Sequence, residues 1–466
     1  MMLHRTSLFA FTLLALASSA ATAQEKEGKE AADADPSYCV QCHGEEELWG
    51  GETRRFFVAA KHFREDLHWQ KGLRCHDCHG GDPKTSDFAK AHSVDSGFRS
   101  IKKPVDVAGF CGHCHSNNQY MRQFHPSPRT DQEAKYWTSG HGVRLKETGD
   151  APVATCVSCH SAPHGSGDKL DVPGILAVNN LKAPVYPTNV AKTCAVCHSD
   201  AKRMEGLSYH GRPIGHDQYE KWQRSVHAKA LLEKGDLSAP TCNDCHGNHG
   251  AVPPEVDSVA NACGACHTKV GKLFAETRMK HRFEEVGLPG CATCHGNHEI
   301  HTPTDEMLGV TETAVCSRCH SGGAEGGKFG ATLAGADAAR AMRAGLAKLK
   351  EEVERAKANL AHAQRLGMEV SGPQFDLRKA EDALTNARSL IHTFSPDPVE
   401  KALQEGLEVT AVVHQRAKAA LDEYTFRRWW LAGSLVPITL VIVVLVLYIR
   451  SRPPVLVPAG ESHDSA

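Results

Sequence analysis

Nine times this chain sets two cysteines three residues apart and puts a histidine directly after the second. In chain order the motifs are Cys39, Cys42 and His43; Cys75, Cys78 and His79; Cys111, Cys114 and His115; Cys156, Cys159 and His160; and Cys194, Cys197 and His198. The last four are Cys242, Cys245 and His246; Cys263, Cys266 and His267; Cys291, Cys294 and His295; and Cys316, Cys319 and His320. They are numbered motifs 1 to 9 below. Two thiols at this spacing can add to the two vinyl groups of one haem, and the adjacent histidine then ligates its iron from the proximal side. The nine pairs use all 18 cysteines, so none remains for a disulfide. Zinc ribbons also use such pairs, but they do not require a histidine after every second cysteine. The pattern therefore predicts nine covalently bound c-type haems.

A second axial ligand must come from histidines outside the motifs, and an internal repeat points to them. Residues 136–165 align with residues 220–250: Trp137 with Trp222, and His141 with His227, each histidine fifteen residues before its first cysteine. A further histidine trails each motif, His164 and His249. The repeat extends to double units, Cys111 to Gly165 and Cys194 to Gly250, whose paired motifs are 45 and 48 residues apart. Each double unit also carries a methionine (Met121, Met204) and a histidine (His125, His210). Motifs 1 and 2, and motifs 7 and 8, form looser versions, with the sequence CHGNH recurring at His295 to His298, and motif 9 is left as a half unit. The distal candidates are thus His125, His141, His164, His210, His227, His249 and His298, with His281 and either His62 or His68 in the degenerate units, and His92 in addition. His216 and His301 are weaker candidates, while His76 and His113, inside their own motifs, are expected to be exposed. No motif replaces its proximal histidine by lysine, which favours electron transfer over catalysis.

The elements that must hold these groups follow from composition. A net charge of −2 excludes a nucleic-acid partner that needs a basic surface. Aromatics at 6% are few for a core of 466 residues, and haem would supply the missing apolar bulk. Residues 1–23 read as a secretory signal peptide, with a basic start, an apolar run from Leu8 to Leu16 and an Ala-x-Ala site, and residues 24–36 as a flexible lead. Residues 37–330, rich in Gly and Pro turns, read as a nine-haem domain of short helices. From 331 to 426 heptad stripes appear, Met342 to Ala363 and then Leu377 to Phe394, with a break at Gly372-Pro373. A third helix is expected to start with Asp397 as N-cap, and the three imply a helical hairpin or bundle. Of the histidines there, His362, His392 and His414, the first choice for reaching back to a haem is His392, beside the break. Trp429 to Ile449 is uncharged for 21 residues, and about 20 suffice to span a bilayer. A transmembrane helix over 427–450 and a short cytoplasmic tail over 451–466 follow, with the N-terminus outside. The expected class is mainly α, a multihaem cytochrome c with little regular sheet.

The doubled units, with a histidine fifteen before Cys-x-x-Cys-His and CHGNH, resemble the periplasmic multihaem cytochromes c of the hydroxylamine oxidoreductase and pentahaem nitrite reductase superfamily, and the related nitrifier-type tetrahaem cytochrome. The resemblance implies mostly bis-histidine iron, long helices after the last haem, and one open haem in some members. The chain departs from that pattern in having no lysine-ligated motif, nine motifs and a C-terminal anchor. Two functions follow as expectations. One is a membrane-anchored conduit between a quinol-oxidising membrane protein and periplasmic redox proteins. The alternative is a reductase or oxidase of a small nitrogen or sulfur oxyanion at a five-coordinate haem, with motifs 1 and 9 as its natural places.

Overall fold

The computed structural model describes residues 37–149, 152–161, 174–209, 212–251, 257–321 and 327–452. The expected signal peptide, the lead and nearly all of the tail lie outside them. The described residues are mainly helical, and their only ladder is a two-residue hairpin pairing Ser208–Tyr209 with Arg212–Pro213. The chain divides into two compact units: residues up to Cys266 with Pro289–Thr302, and His267–Leu288 with the residues from Pro303 on.

The first unit is an assembly of short helices over very small apolar clusters. One gathers Ala108, Tyr136 and Leu145; another gathers Ala191, Trp222, Ala228, Leu231 and Ala239. These clusters are copies of one device. Ser139 caps the Gly140–Thr148 helix by accepting from Gly142 N (3.0 Å), and Ser225 caps Val226–Glu233 by accepting from Ala228 N (3.1 Å). Three residues before each cap lies a buried aromatic, and six residues after it a fully buried leucine, Leu145 or Leu231. The aromatics are Tyr136 and Trp222, not Trp137 and Trp222 as the sequence alignment has it. Tyr136 donates its hydroxyl to Ala154 O (2.8 Å) and Trp222 its indole N–H to Pro240 O (3.3 Å), each carbonyl two residues before a motif. Tyr136 and Trp222 each stand five residues before their histidine, His141 or His227, whereas Trp137 stands only four before His141 and so falls outside the register.

The second unit contains motif 9 and three long helices, Leu333–Arg365, Ser371–Leu390 and Pro396–Ser451. The first heptad stripe, Met342, Leu346, Leu349, Val353, Ala356, Leu360 and Ala363, is buried throughout. Leu377, Ala380, Leu384 and Ala387 of the second stripe are buried against it, with Val399, Leu403 and Val413 from the third helix. Close approach is achieved by glycine: a Cβ on Gly406 would lie 2.6 Å from Leu349 Cδ2. The break between the first two helices falls at Gly367, which has φ +79°, and Gly372-Pro373 instead sit in the first turn of the second helix, where proline is tolerated. The third helix begins at Pro396 with Ser395 as N-cap, and Asp397 lies in its first turn. It continues without interruption into the apolar stretch, so bundle and candidate membrane span are one 56-residue helix. By length and composition this helix can cross a membrane. His414 bonds Glu352 (3.0 Å) across two helices, a role in bundle packing.

Leu349→Ala tests this core. Leu349 is fully buried, and its truncation is expected to cost about 2–5 kcal/mol. The measurement is the denaturant midpoint of the helical signal, and no change would mean that the three helices do not pack as described.

Candidate functional site

In an α-helix, residues three and four apart share a face, so Cys-x-x-Cys-His wound as one helical turn presents both thiols and the histidine to the same side. The motifs adopt this turn: Tyr38–His43, Cys75–His79, Cys156–His160, Cys242–His246 and Gly290–His295 are short helices ending on the motif histidine, and Asp106–His115 and Pro187–His198 are longer ones ending the same way. The residue before the second cysteine closes the N-terminus of three of them. Asp77 accepts from Arg74 N (2.6 Å), Ser158 from Thr155 N (3.0 Å) and Asp244 from Thr241 N (2.7 Å). Gly80, Gly247 and Gly296, all at positive φ, stop the chain directly after the histidine.

Several of these rings are oriented by a backbone carbonyl. His43 Nδ1 donates to Phe56 O (2.8 Å), His79 Nδ1 to Arg99 O (3.3 Å) and His320 Nδ1 to Thr332 O (2.9 Å). A carbonyl only accepts, so the proton sits on Nδ1 and the Nε2 lone pair faces outward, the tautomer that a metal-ligating histidine needs. His92 Nδ1, bonded to Phe88 O (2.9 Å), and His392 Nδ1, bonded to Ser389 O (3.0 Å), are prepared in the same way.

The histidine pairs provide the fit test for haem. A ring nitrogen ligates a first-row metal at about 2 Å and stands about 1.1 Å in front of its ring centre, so two imidazoles on opposite faces of one iron have centroids about 6.2 Å apart. His43 and His92 are 6.2 Å apart, His68 and His115 6.0 Å, His141 and His198 6.1 Å, His160 and His249 6.1 Å, and His246 and His298 6.0 Å. Each pair joins one motif histidine to one histidine outside the motifs. Residues and spacing fit c-type haem. Burial holds the His160 imidazole down to about 4, with further lowering by His249 and His115. Burial likewise lowers His198, His249 and His298, which keeps these rings neutral and able to ligate at neutral pH.

Four of the five pairs run between double units, and only His92, after motif 2, stands opposite motif 1 of its own loose unit. His68, before motif 2, stands opposite motif 3, and His141, before motif 4, opposite motif 5. In the reverse direction His249, after motif 6, stands opposite motif 4, and His298, after motif 8, opposite motif 6. The planes differ by class: the reverse pairs are near-parallel, at 4° and 8°, and the forward pairs and His43–His92 are crossed at 61° to 81°.

The cysteines order the motifs in space. The thiols, standing where thioether sulfurs would be, share hydrogen bonds between Cys111 and Cys156, Cys194 and Cys242, and Cys263 and Cys291. Second cysteines also approach one another: burial raises the Cys78, Cys159 and Cys245 thiols, and the nearby Cys114, Cys197 and Cys266 respectively push each further in the same direction. Motifs 2 to 8 therefore follow one another in a series in which first-cysteine and second-cysteine contacts alternate.

Of the described candidates, His125 and His281 face away from the motifs. His68 rather than His62 faces motif 3. His125 is exposed and its Nδ1 accepts from Ser127 N (3.2 Å), and exposed His281 leans towards Glu284 (3.7 Å). His227 holds the same place in its helix as His141, two residues after the cap. His164 and His210 lie outside the described residues. His113 is exposed as expected, but His76 is half-buried with its Nδ1 enclosed and without a hydrogen-bond partner. The sequence did not show the exchange between double units, because spacing along the chain carries no record of which neighbour a helix faces.

Residues 235–321 match the sequence model of the cytochrome c3 family. That stretch is similar to multihaem c-type cytochromes. No curated protein and no solved structure matches the chain. The match spans motifs 6 to 9 and supports covalently bound c-type haem and electron transfer.

Proposed function

We propose that this multihaem cytochrome is a membrane-anchored electron conduit carrying nine haems, taking electrons from a quinol-oxidising membrane protein and passing them to periplasmic redox proteins. The observation that carries it is the series of motifs in alternating cysteine contact, with a histidine on both sides of five sites. Haem iron held between two imidazoles supplies one-electron storage with no position for a substrate. The chain's own residues do the rest. Carbonyls of Phe56, Arg99 and Thr332 fix the proximal tautomers, the histidines from neighbouring double units close the distal sides, and the short caps keep each pair at its spacing. Because first and second cysteines meet alternately, each haem edge would be brought near the next. The C-terminal span would hold the protein at the membrane where quinol is oxidised, with its tail in the cytoplasm and the haem domain outside.

Two measurements test the reading. Low-temperature electron paramagnetic resonance of the oxidised protein should be dominated by low-spin iron in two classes. Parallel imidazole planes donate into the same iron orbital and split the pair, giving rhombic signals for the sites of His160–His249 and His246–His298. Crossed planes leave the orbitals nearly degenerate, giving strongly anisotropic signals for the other three. A stoichiometric high-spin signal responding to nitrite or hydroxylamine would favour a reductase or oxidase instead. Separately, a chain ending at Arg428 should keep its haems yet lose rapid reduction by quinol-charged membranes; undiminished reduction would remove the anchor from the proposal.

A further inference from the structure

The capped device of the first unit occurs again in the second unit, with one substitution. Thr277 caps the Arg278–Glu285 helix by accepting from Lys280 N (3.1 Å), as Ser139 and Ser225 cap theirs. Its hydroxyl donates to Phe274 O (2.7 Å), as Ser139 donates to Tyr136 O (2.6 Å). Three residues before the cap is buried Phe274, matching Tyr136 and Trp222, and six after it is buried Phe283, matching Leu145 and Leu231. Two residues after the cap the earlier copies carry His141 and His227, and the shorter copy capped by Asp66 carries His68. Here that place belongs to Met279.

The orientation of the helix agrees with the register. Met279 is half-buried and shares a face with buried Phe283 four residues on, while His281, 72% exposed, points away beside Glu284. The helix is fastened to the loop that follows motif 9, since Arg282 Nε donates to Phe329 O (2.9 Å). Phe329 is held at φ +58° and closes the turn leading to Thr332, whose carbonyl orients His320. The forward pairings observed, His68 to motif 3 and His141 to motif 5, send the residue two after the cap to the next odd-numbered motif. The fourth copy precedes motif 8, so its partner is motif 9.

We infer that Met279 is the distal axial ligand of the motif 9 haem, so that this site is His/Met-ligated while the sites with paired imidazoles are bis-His. The inference rests on the reading of the chain as a multihaem cytochrome. A thioether donates less charge to ferric iron than an imidazole and raises the reduction potential. Motif 9 then becomes the highest-potential station among them, in the same compact unit as the helix that can cross the membrane.

The test uses the purified full-length holoprotein. Haem per chain is measured first by the pyridine haemochrome; too little haem would defeat the cytochrome reading itself, a failure distinct from that of the present one. With haem in place, the ferric protein should show a thioether-to-iron charge-transfer band with the intensity of one haem. Met279→His should abolish that band, leave the iron low-spin and move the highest-potential component of the redox titration downward. His281→Ala should leave band and titration unchanged. Absence of the band in the unaltered protein, its survival in Met279→His, or a new high-spin haem in His281→Ala would each overturn the assignment.

Discussion

Replacing His249 by alanine is expected to open the haem of motif 4 and leave that of motif 6 untouched, although His249 follows motif 6 by three residues and lies 89 residues after His160. The ring of His249 is 6.1 Å from that of His160 and parallel to it within 4°. Motif 6 has its own counterpart in His298, 6.0 Å from His246. The variant should therefore show one new high-spin ferric haem, and should bind one carbon monoxide per chain when reduced. Two backgrounds decide which haem responds. Where Cys242 and Cys245 are replaced by serine, so that motif 6 carries no haem, the new signal should persist. Where Cys156 and Cys159 are replaced, it should vanish. The opposite result would restore ligation within one double unit.

That exchange marks the limit of what the sequence could say. The nine motifs, the proximal histidines and the heptad stripes are local patterns: Met342 to Ala363 recur at helical spacing, and the same residues are buried. Distal candidates could be named because His141 and His249 belong to a repeat, yet their destinations depend on how one unit lies against the next. Three misreadings have a common cause. By residue type Trp137 matches Trp222, Gly372-Pro373 ends a helix, and Asp397 caps one. In each case a residue type with the right propensity stood one to five positions from the residue that satisfies the backbone: Tyr136, Gly367 and Ser395. His281 drew attention over Met279 for a similar reason. A histidine near a motif is conspicuous in a haem protein, and only the cap at Thr277, fixing which face of the helix turns inward, shows that position 281 points to solvent.

Alternating cysteine contacts also predict what happens when the series is cut. Motif 5 meets motif 4 through Cys197 and Cys159, and motif 6 through Cys194 and Cys242. Replacing Cys194 and Cys197 by serine removes one haem and both of these contacts. The small core beside it, Trp222, Ala228 and Leu231, contains neither residue and should keep the local fold, which circular dichroism can check. Electrons entering from membranes with a reduced quinol pool should then reach only the haems on the donor's side of the gap in the fast phase, with the remainder reduced slower by orders of magnitude. Replacing Cys39 and Cys42 in motif 1 removes one haem as well but leaves both contacts of motif 5 in place, so its fast phase should still include motifs on both sides of motif 5. If the two variants reduced alike, electrons would be crossing between motifs that do not touch, or entering at several points. The series would then describe the packing of the protein without describing its conduction. A split confined to the motif 5 variant ties the conduction path to the order in which the cysteines meet.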